Sequence, residues 1–307
     1  MHGKALLLDD APLLRTLLFV PADRERMVAR AADAGADAIV LDLEDAVLPA
    51  AKEAARAAAR GALDALSLRT PAGRPVRAFV RVNGVRTGLT RDDLFAVVRP
   101  GLAAVVLPKA ETPQDLRDLD VLLREAELAN GVRPGDVAVV PIIESPRGLL
   151  RADEIARASD RVRALSIGAE DYCAELEVER NVEGTAIAYL RYQIVQVAAA
   201  NGLVAIDTPY PDVRDRDGLV AETGFARAVG FKGKYVLHPD QVGPVNDAFT
   251  PSDAEVARAR AIVAAYDRTA HAGAVSVDGQ MVDAPVAERA RRLIARADAI
   301  ARRPAAR

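Results

Sequence analysis

Eight short apolar segments, separated by stretches with helical periodicity, constrain the fold of this 307-residue chain more than any other feature. Most of them are continuously apolar and rich in Val, Ile and Leu, which is typical of parallel strands covered on both faces. The segments are residues 14–20, 38–43, 76–82, 103–107, 137–143, 163–167, 203–206 and 234–237.

This alternation predicts an α/β fold, a (β/α)8 TIM barrel formed by residues 1–247. A doubly wound sheet is the alternative. It is disfavoured because functional-looking residues follow strands along the whole chain, and because no G-x-G-x-x-G follows the first strand. Beyond Gln241 the pattern changes to a helix over 251–271, a hairpin turning at Asp278 and Gly279, and a helix over 285–301. Residues 248–307 are therefore predicted to form a helical and hairpin lid on the barrel or a neighbouring subunit.

Composition excludes several other classes of protein. No run approaches the ~18 uncharged apolar residues that a membrane-spanning helix needs. The apolar N-terminal stretch contains acids and lacks a cleavage site, so we expect no signal peptide and a cytoplasmic location. Cys173 is the single cysteine, which excludes an internal disulfide and a cysteine-rich zinc site. The net charge is −3 and the acidic and basic residues are interspersed, so the sequence shows no basic patch that would bind nucleic acid.

Acids follow two neighbouring strands of the predicted barrel. Glu144 ends the apolar run VAVVPII, and Asp171 follows RALSIG. The carboxyl ends of barrel strands form the active face, and hard cations such as Mg²⁺ often take only one or two protein carboxylates. We therefore predict that Glu144 and Asp171 are metal ligands. The alternative is that one of them caps the helix that follows, and residues 145–159 are expected to form one such helix.

Further charged residues stand at other strand ends. Glu44 and Asp45, in DLEDAV, are candidates to hold metal-bound waters, or else they cap a helix and pair with arginine. Arg81, inside FVRVNG, is suited to bind a substrate carboxylate or to stabilise a developing enolate. The alternative is that it forms a buried ion pair with a strand-end acid. Lys109 is a candidate for binding an anionic group, with a surface role as the alternative. His238 is as readily structural as catalytic.

Several motifs match one known family in order along nearly the whole chain. They are LLFVPADRERM, AIVLDLEDAV, FVRVNG, VVLPKAE, PIIESPRG, SIGAEDYCAEL, GKYVLHPDQV and VDGQMVDAP. The chain resembles the citrate lyase β-subunit-like CoA-ester lyases of the HpcH/HpaI aldolase superfamily, which include malyl-CoA and citramalyl-CoA lyases. This resemblance implies a TIM barrel, an Mg²⁺ ion (with Mn²⁺ as a substitute) and a homotrimer or a hexamer.

The resemblance also implies a reaction, the reversible Claisen-type cleavage or condensation of a 3-hydroxyacyl-CoA. The products are acetyl-CoA, or a similar acyl-CoA, and a 2-keto acid, so CoA enters as part of the substrate. Alternatives are added thioesterase activity of the malyl-CoA or malate synthase type, aldol chemistry on free 2-keto acids, and a non-catalytic subunit of a carrier complex.

Carried onto this sequence, the family motifs imply roles for individual residues. Glu144 and Asp171 would hold the metal, and Arg81 would stabilise the enolate. Asp283, in QMVDAP, would be the acid/base group delivered by the lid of a neighbouring subunit.

The remaining implied roles concern waters and the CoA part of the substrate. Glu44 and Asp45 would bind metal-held waters. Arg24 and Arg26 would lie near the phosphates of CoA, because phosphates bind at cations and helix N-termini. Lys109 would also contact this part of the substrate.

Overall fold

The computed structural model describes residues 13–68, 77–181, 184–268 and 273–302. Within them the chain divides into two compact units, a larger one from Leu14 to Asp247 and a smaller one that begins at Ala248. None of the described helices is both long and apolar enough to cross a membrane.

The larger unit is a closed barrel of eight parallel strands in sequential order, with the eighth pairing with the first. The predicted fold class is therefore confirmed. The strands are β1 (Thr16–Pro21), β2 (Ala38–Asp42), β3 (Arg77–Arg81), β4 (Leu102–Leu107), β5 (Ala138–Ile143), β6 (Ala164–Ile167), β7 (Val204–Asp207) and β8 (Gly233–Val236). Val76, the expected first residue of the third strand, lies outside the described residues.

Helices follow the strands of the barrel, as right-handed crossover connections require. They are α1 (Glu25–Asp33), α2 (Lys52–Leu68), α3 (Thr90–Val97), α4 (Pro113–Ala129), α5 (Pro146–Leu150), α6 (Ala152–Ala156), α7 (Ala169–Glu175), α8 (Ala188–Ala200), α9 (Arg216–Val229) and α10 (Pro239–Phe249). The short helix α7 was not predicted, and it matters because it carries Asp171.

The helix expected over residues 145–159 is in fact two helices. Arg151, with φ −113° and ψ 10°, ends α5 and begins α6. Leu149 on the first helix and Ile155 on the second are both buried, so the bend at Arg151 is compatible with burial of both apolar faces. The prediction of one continuous helix was wrong because local periodicity does not register such a bend.

The interior of the barrel is filled by side chains from all eight strands. Leu17, Val40, Val106 and Ile142 are among the buried members of this core, and Tyr235 of β8 closes it. Barrels of this type are packed cores rather than pores, so the space for a ligand lies beyond the strand ends.

The smaller unit has its own small core. Helices α11 (Asp253–Arg268) and α12 (Ala284–Ala301) pack together, with the antiparallel hairpin β9 (Val275–Val277) and β10 (Gln280–Val282) beside them. Tyr266, Val282 and Ala287 form the buried centre. The hairpin turns at Asp278 and Gly279, both with positive φ, as predicted for a two-residue turn. The end of the helix expected to reach His271 lies outside the described residues.

Candidate active site

A cavity of about 470 Å³ opens at the carboxyl ends of β3 to β6. Its wall brings together residues that lie far apart in the sequence, because strand ends of a parallel barrel meet on one face. The lining residues are Gly84, Val85, Arg86, Thr87, Lys109, Glu111, Glu144, Ser145, Asp171, Ala174 and Glu175. The two predicted metal ligands and Lys109 therefore share one cavity.

Glu144 is the most deeply buried acid on the cavity wall. It follows β5 directly, is 4% exposed, and its Oε1 accepts the backbone N–H of Lys109 at 2.6 Å. Burial, together with the negative charge of Asp171, raises the pKa of Glu144 to about 8. Ser145, not Glu144, caps α5 by accepting the N–H of Gly148. The capping alternative for Glu144 is thus removed.

Asp171 stands in the first turn of α7, and Gly168 just before that helix allows the close approach of Glu144. A Cβ on Gly168 would lie 2.2 Å from Oε2 of Glu144 and 2.7 Å from its Cβ. Such distances are far inside van der Waals contact, so only glycine leaves the carboxylate of Glu144 in place. The N–H of Ala169 is fixed by Thr208 at 3.1 Å, which anchors the start of α7.

The donor set suits a hard divalent cation. Two carboxylates face one cavity, and their repulsion adds to burial in raising the pKa of Glu144, so a cation between them would be favourable. Within the described part of the chain no group of three or more His, Cys, Asp or Glu side chains could hold a metal ion. A site with two protein carboxylates leaves coordination positions for water and substrate, as is common for Mg²⁺.

Lys109 connects the two groups of acids. Its φ of 52° is unusual for a residue other than glycine, and this conformation accompanies the hydrogen bond from its N–H to Glu144. Its Nζ lies 2.5 Å from Oε1 of Glu44 and 3.6 Å from Oδ1 of Asp45. Lys109 is thus bound to acids of the site, and contact with CoA stays a prediction.

Glu44 is buried and only partly satisfied. Burial raises its pKa, although the charges of Arg81 and Lys109 oppose the shift. Its Oε2 lies 3.0 Å from Nη1 of Arg81, but this contact lacks hydrogen-bond geometry. Asp45, by contrast, has a side chain that is 60% exposed. Their predicted role toward metal-bound waters stays a prediction.

Arg81 ends β3, and its guanidinium binds Asp42 through two hydrogen bonds of 2.7 Å. The ion pair considered from the sequence therefore exists, with Asp42 as the partner. Asp42, the first acid of DLEDAV, was not among the predicted site residues. The sequence shows only that Asp42 ends an apolar segment, whereas its place directly beside Arg81 is a matter of strand register that the structure reveals.

The remaining predicted residues lie elsewhere. Arg24 and Arg26 are exposed at the start of α1, just beyond the carboxyl end of β1. Asp283 belongs to the smaller unit, where its Oδ1 accepts the N–H of Val286 and caps α12. His238 is partly exposed, with its Nδ1 close to Asp240. Their functional roles stay predictions.

Comparison with known proteins adds independent evidence. Residues 15–239 match the family model described as HpcH/HpaI aldolase/citrate lyase. The citrate lyase subunit beta of Escherichia coli strain K12 is 38% identical over 286 residues, which cover 92% of this chain and 93% of that protein. The mitochondrial citramalyl-CoA lyase of Mus musculus is 31% identical over 302 residues, covering 93% and 86%.

A solved structure agrees with these matches. The protein CitE from Mycobacterium tuberculosis, in complex with magnesium, acetoacetate and coenzyme A, superposes with a TM-score of 0.74 at 36% identity. The match covers 92% of this chain and 98% of that one.

The fold and the cavity define a barrel enzyme with an acidic site at its carboxyl-terminal face, and the relatives place it in the lyase class. The chain belongs to the HpcH/HpaI aldolase/citrate lyase family. The family resemblance in the sequence motifs is therefore confirmed.

Proposed function

We propose that this chain is an Mg²⁺-dependent lyase that reversibly cleaves a 3-hydroxyacyl-CoA into an acyl-CoA and a 2-keto acid. The observation that carries the proposal is the pair Glu144 and Asp171, buried and half-buried, on the wall of one cavity. The names of the relatives support the substrate class, because they include citramalyl-CoA lyase and a CitE structure with magnesium and coenzyme A. Malyl-CoA and citramalyl-CoA are the leading substrates.

Glu144 and Asp171 would hold the cation. When bound, Mg²⁺ supplies Lewis-acid polarisation of the hydroxyl and carboxylate oxygens of the substrate. In cleavage the hydroxyl would release its proton to solvent and its oxygen would form the keto carbonyl as the carbon–carbon bond breaks. The electron pair of that bond would remain on the thioester as an enolate. Arg81 stabilises the negative charge of that enolate through its fixed guanidinium.

Asp283 is the proposed proton-transfer group. It protonates the enolate carbon in cleavage and removes a proton from the acyl-CoA in condensation. The smaller unit would act as a lid that excludes water from the enolate. A neighbouring subunit of a homotrimer or a hexamer would supply this lid. Arg24 and Arg26 would bind the phosphates of CoA.

The direct test is a screen of the purified full chain with Mg²⁺. Acetyl-CoA or propionyl-CoA is offered with glyoxylate or pyruvate, and free keto acids without CoA esters serve as the control. We expect a condensed CoA ester, and release of free CoA would reveal added thioesterase activity. Condensation that occurs only without CoA esters would overturn the proposal. Unchanged turnover in Glu144→Ala would remove the metal assignment.

A further inference from the structure

The guanidinium of Arg81 is fixed along one edge by a single carboxylate. Nε donates to Oδ1 of Asp42 and Nη2 donates to Oδ2, each at 2.7 Å. Asp42 is 2% exposed. Such a two-point contact between a planar guanidinium and a carboxylate sets orientation as well as distance.

The same carboxylate also holds the turn after β2. Oδ1 of Asp42 accepts the N–H of Glu44 at 2.9 Å, and Oδ2 accepts the N–H of Ala46 at 3.2 Å. Each oxygen of Asp42 therefore receives one hydrogen bond from Arg81 and one from the backbone. Asp42 therefore holds both the side chain of Arg81 on β3 and the turn that carries Glu44 and Asp45.

The flat face of Arg81 rests on an aromatic ring. The guanidinium carbon lies 4.8 Å from the ring centroid of Phe19 on β1, within the range of a cation–π contact. The ring of Phe19 is in turn 4.8 Å from that of Tyr235 on β8. The hydroxyl of Tyr235 donates to Ser166 at 3.1 Å, and Ser166 donates to the carbonyl of Pro141 at 3.0 Å. A column of side chains thus supports Arg81 from inside the barrel.

The Nη1 end of the guanidinium has no hydrogen bond to Asp42 and lies beside two other acids. Of its five N–H donors, two bind Asp42. Nη1 faces Glu44 and Asp45, at 3.0 Å and 3.9 Å, without a hydrogen bond to Glu44 Oε2. A new anionic oxygen would bind at the Nη1 end in competition with Glu44 and Asp45, and the direction of that end is set by Asp42 and Phe19.

We propose that Asp42 and Phe19 are positioning residues that hold the guanidinium of Arg81 for the reaction, Asp42 along its edge and Phe19 across its face. The inference rests on the proposed function, because positioning matters only if Arg81 stabilises charge that develops on the substrate. A donor that is already oriented needs no reorganisation when that charge appears, which is the condition for large electrostatic catalysis. Small misplacements of such a group cost large factors in rate.

The competing interpretation is that the ion pair of Asp42 and Arg81 only stabilises the barrel. The chain contains a matched control for it, the pair of Arg161 and Glu127, in which Nη1 and Nη2 donate to the two carboxylate oxygens at 2.7 Å. Glu127 is 0% exposed and also accepts the N–H of Val137, just before β5, so this pair lies at the opposite end of the strands. It has the same chemistry at the end of the barrel away from the cavity.

The experiment is a double-mutant cycle on the full chain with Mg²⁺ and the CoA ester that wild type cleaves. The variants are Asp42→Asn, Arg81→Met, the double variant and the control Glu127→Gln. We expect Asp42→Asn to lower kcat about 100-fold, the loss typical of a misplaced electrostatic donor. In the Arg81→Met background the same change should lower kcat by less than about threefold, since residues that act through one another are not additive. Glu127→Gln should lower the unfolding temperature with kcat within about twofold of wild type.

A second cycle covers the case in which Asp42→Asn does not fold. Phe19→Leu keeps an apolar side chain but removes the ring face, so kcat should fall about three- to tenfold in wild type and hardly at all with Arg81→Met. The inference would be overturned if either substitution lowered kcat by the same factor with and without Arg81→Met. It would also be overturned if Asp42→Asn or Phe19→Leu kept the kcat of wild type. The proposed function would stand in both cases. A wild-type chain without lyase activity on CoA esters would overturn the proposed function and this inference with it.

Discussion

Glu144 combines deep burial with a neighbouring negative charge, and the consequence for stability can be worked out. Its pKa is about 8 in the metal-free fold because of burial and then of Asp171, against an ordinary value of 4.5. A carboxyl whose pKa is raised on folding favours the folded state while it is protonated. The favourable contribution is complete below pH 4.5 and is lost as the pH rises through about 8.

We therefore expect Glu144→Gln, which mimics the protonated acid, to match the metal-free wild type in stability near pH 5. At pH 9 it should be the more stable protein, by about 2–5 kcal/mol, since each unit of pKa shift corresponds to about 1.4 kcal/mol. Denaturant unfolding with a chelator at pH 5, 7 and 9 measures the difference. If the difference in free energy of unfolding between the two proteins does not change with pH, the pKa of Glu144 is not raised in the folded state.

Gly168 gives a second test at the scale of one residue. Gly168→Ala places a Cβ 2.2 Å from Oε2 of Glu144, so the carboxylate must move and Mg²⁺ affinity should fall tenfold or more, about 1.4 kcal/mol. Gly84→Ala is the control, because it lines the same cavity but its Cβ would meet its nearest neighbour at an ordinary 3.7 Å. Titration calorimetry measures the Mg²⁺ affinity of both variants. Equal Mg²⁺ affinities of Gly168→Ala and Gly84→Ala would contradict the assigned position of Glu144.

Some of these residues could be found from the sequence and others could not. Glu144 and Asp171 follow apolar segments and Arg81 lies near the end of one, and the ends of parallel strands converge in any barrel. The bond between Asp42 and Arg81 depends on the register of β2 against β3, which closure of the barrel sets. The positive φ of Lys109 is enforced by its neighbours against its own preference, so no local pattern signals it.

At the scale of the element, the start of α4 shows how one acid can hold a helix and a cavity wall together. Asp115 accepts the N–H groups of Glu111 and Thr112, each at 2.9 Å, and Thr112 caps the helix in return. It also binds Arg86, which lines the cavity with Glu111. Threonine followed by proline, as at Thr112 and Pro113, is typical of a helix start and is visible in the sequence, whereas the contact with Arg86 is not.

Asp115→Ala should destabilise the protein by about 2 kcal/mol, because it removes a buried cap acceptor and the partner of Arg86. Thr112→Ala should cost about 1 kcal/mol, since only one weaker cap bond is lost. Urea unfolding measures both values. The prediction fails if Thr112→Ala proves the more destabilising of the two.

At the scale of the whole molecule, the division into a barrel and a smaller unit raises the question of which chain supplies Asp283. If the lid comes from a neighbouring subunit, an Arg81→Met chain with only residual turnover can supply its Asp283 to an Asp283→Asn chain, whose Arg81 is intact. Random mixing of equal amounts should then restore about a quarter of wild-type activity, because half the barrels and half the lids are intact.

The measurement is activity after the two variants are dissociated together and reassociated, with each variant treated alone as the control. Recovery to about a quarter would support a lid shared between subunits. Activity no higher than that of the separate variants would place Asp283 and its barrel in the same chain, or remove Asp283 from the reaction.

We expect Glu144 and Asp171 together to hold the cation on which carbon–carbon cleavage depends. The most direct measurement is the affinity of Asp171→Asn for Mg²⁺, by calorimetry on the chelator-treated chain, paired with its turnover of malyl-CoA and citramalyl-CoA. We expect affinity to fall at least about 100-fold, as loss of one of two protein ligands implies, and cleavage to fall below about 1% of wild type. Wild-type affinity and turnover in Asp171→Asn would contradict the account.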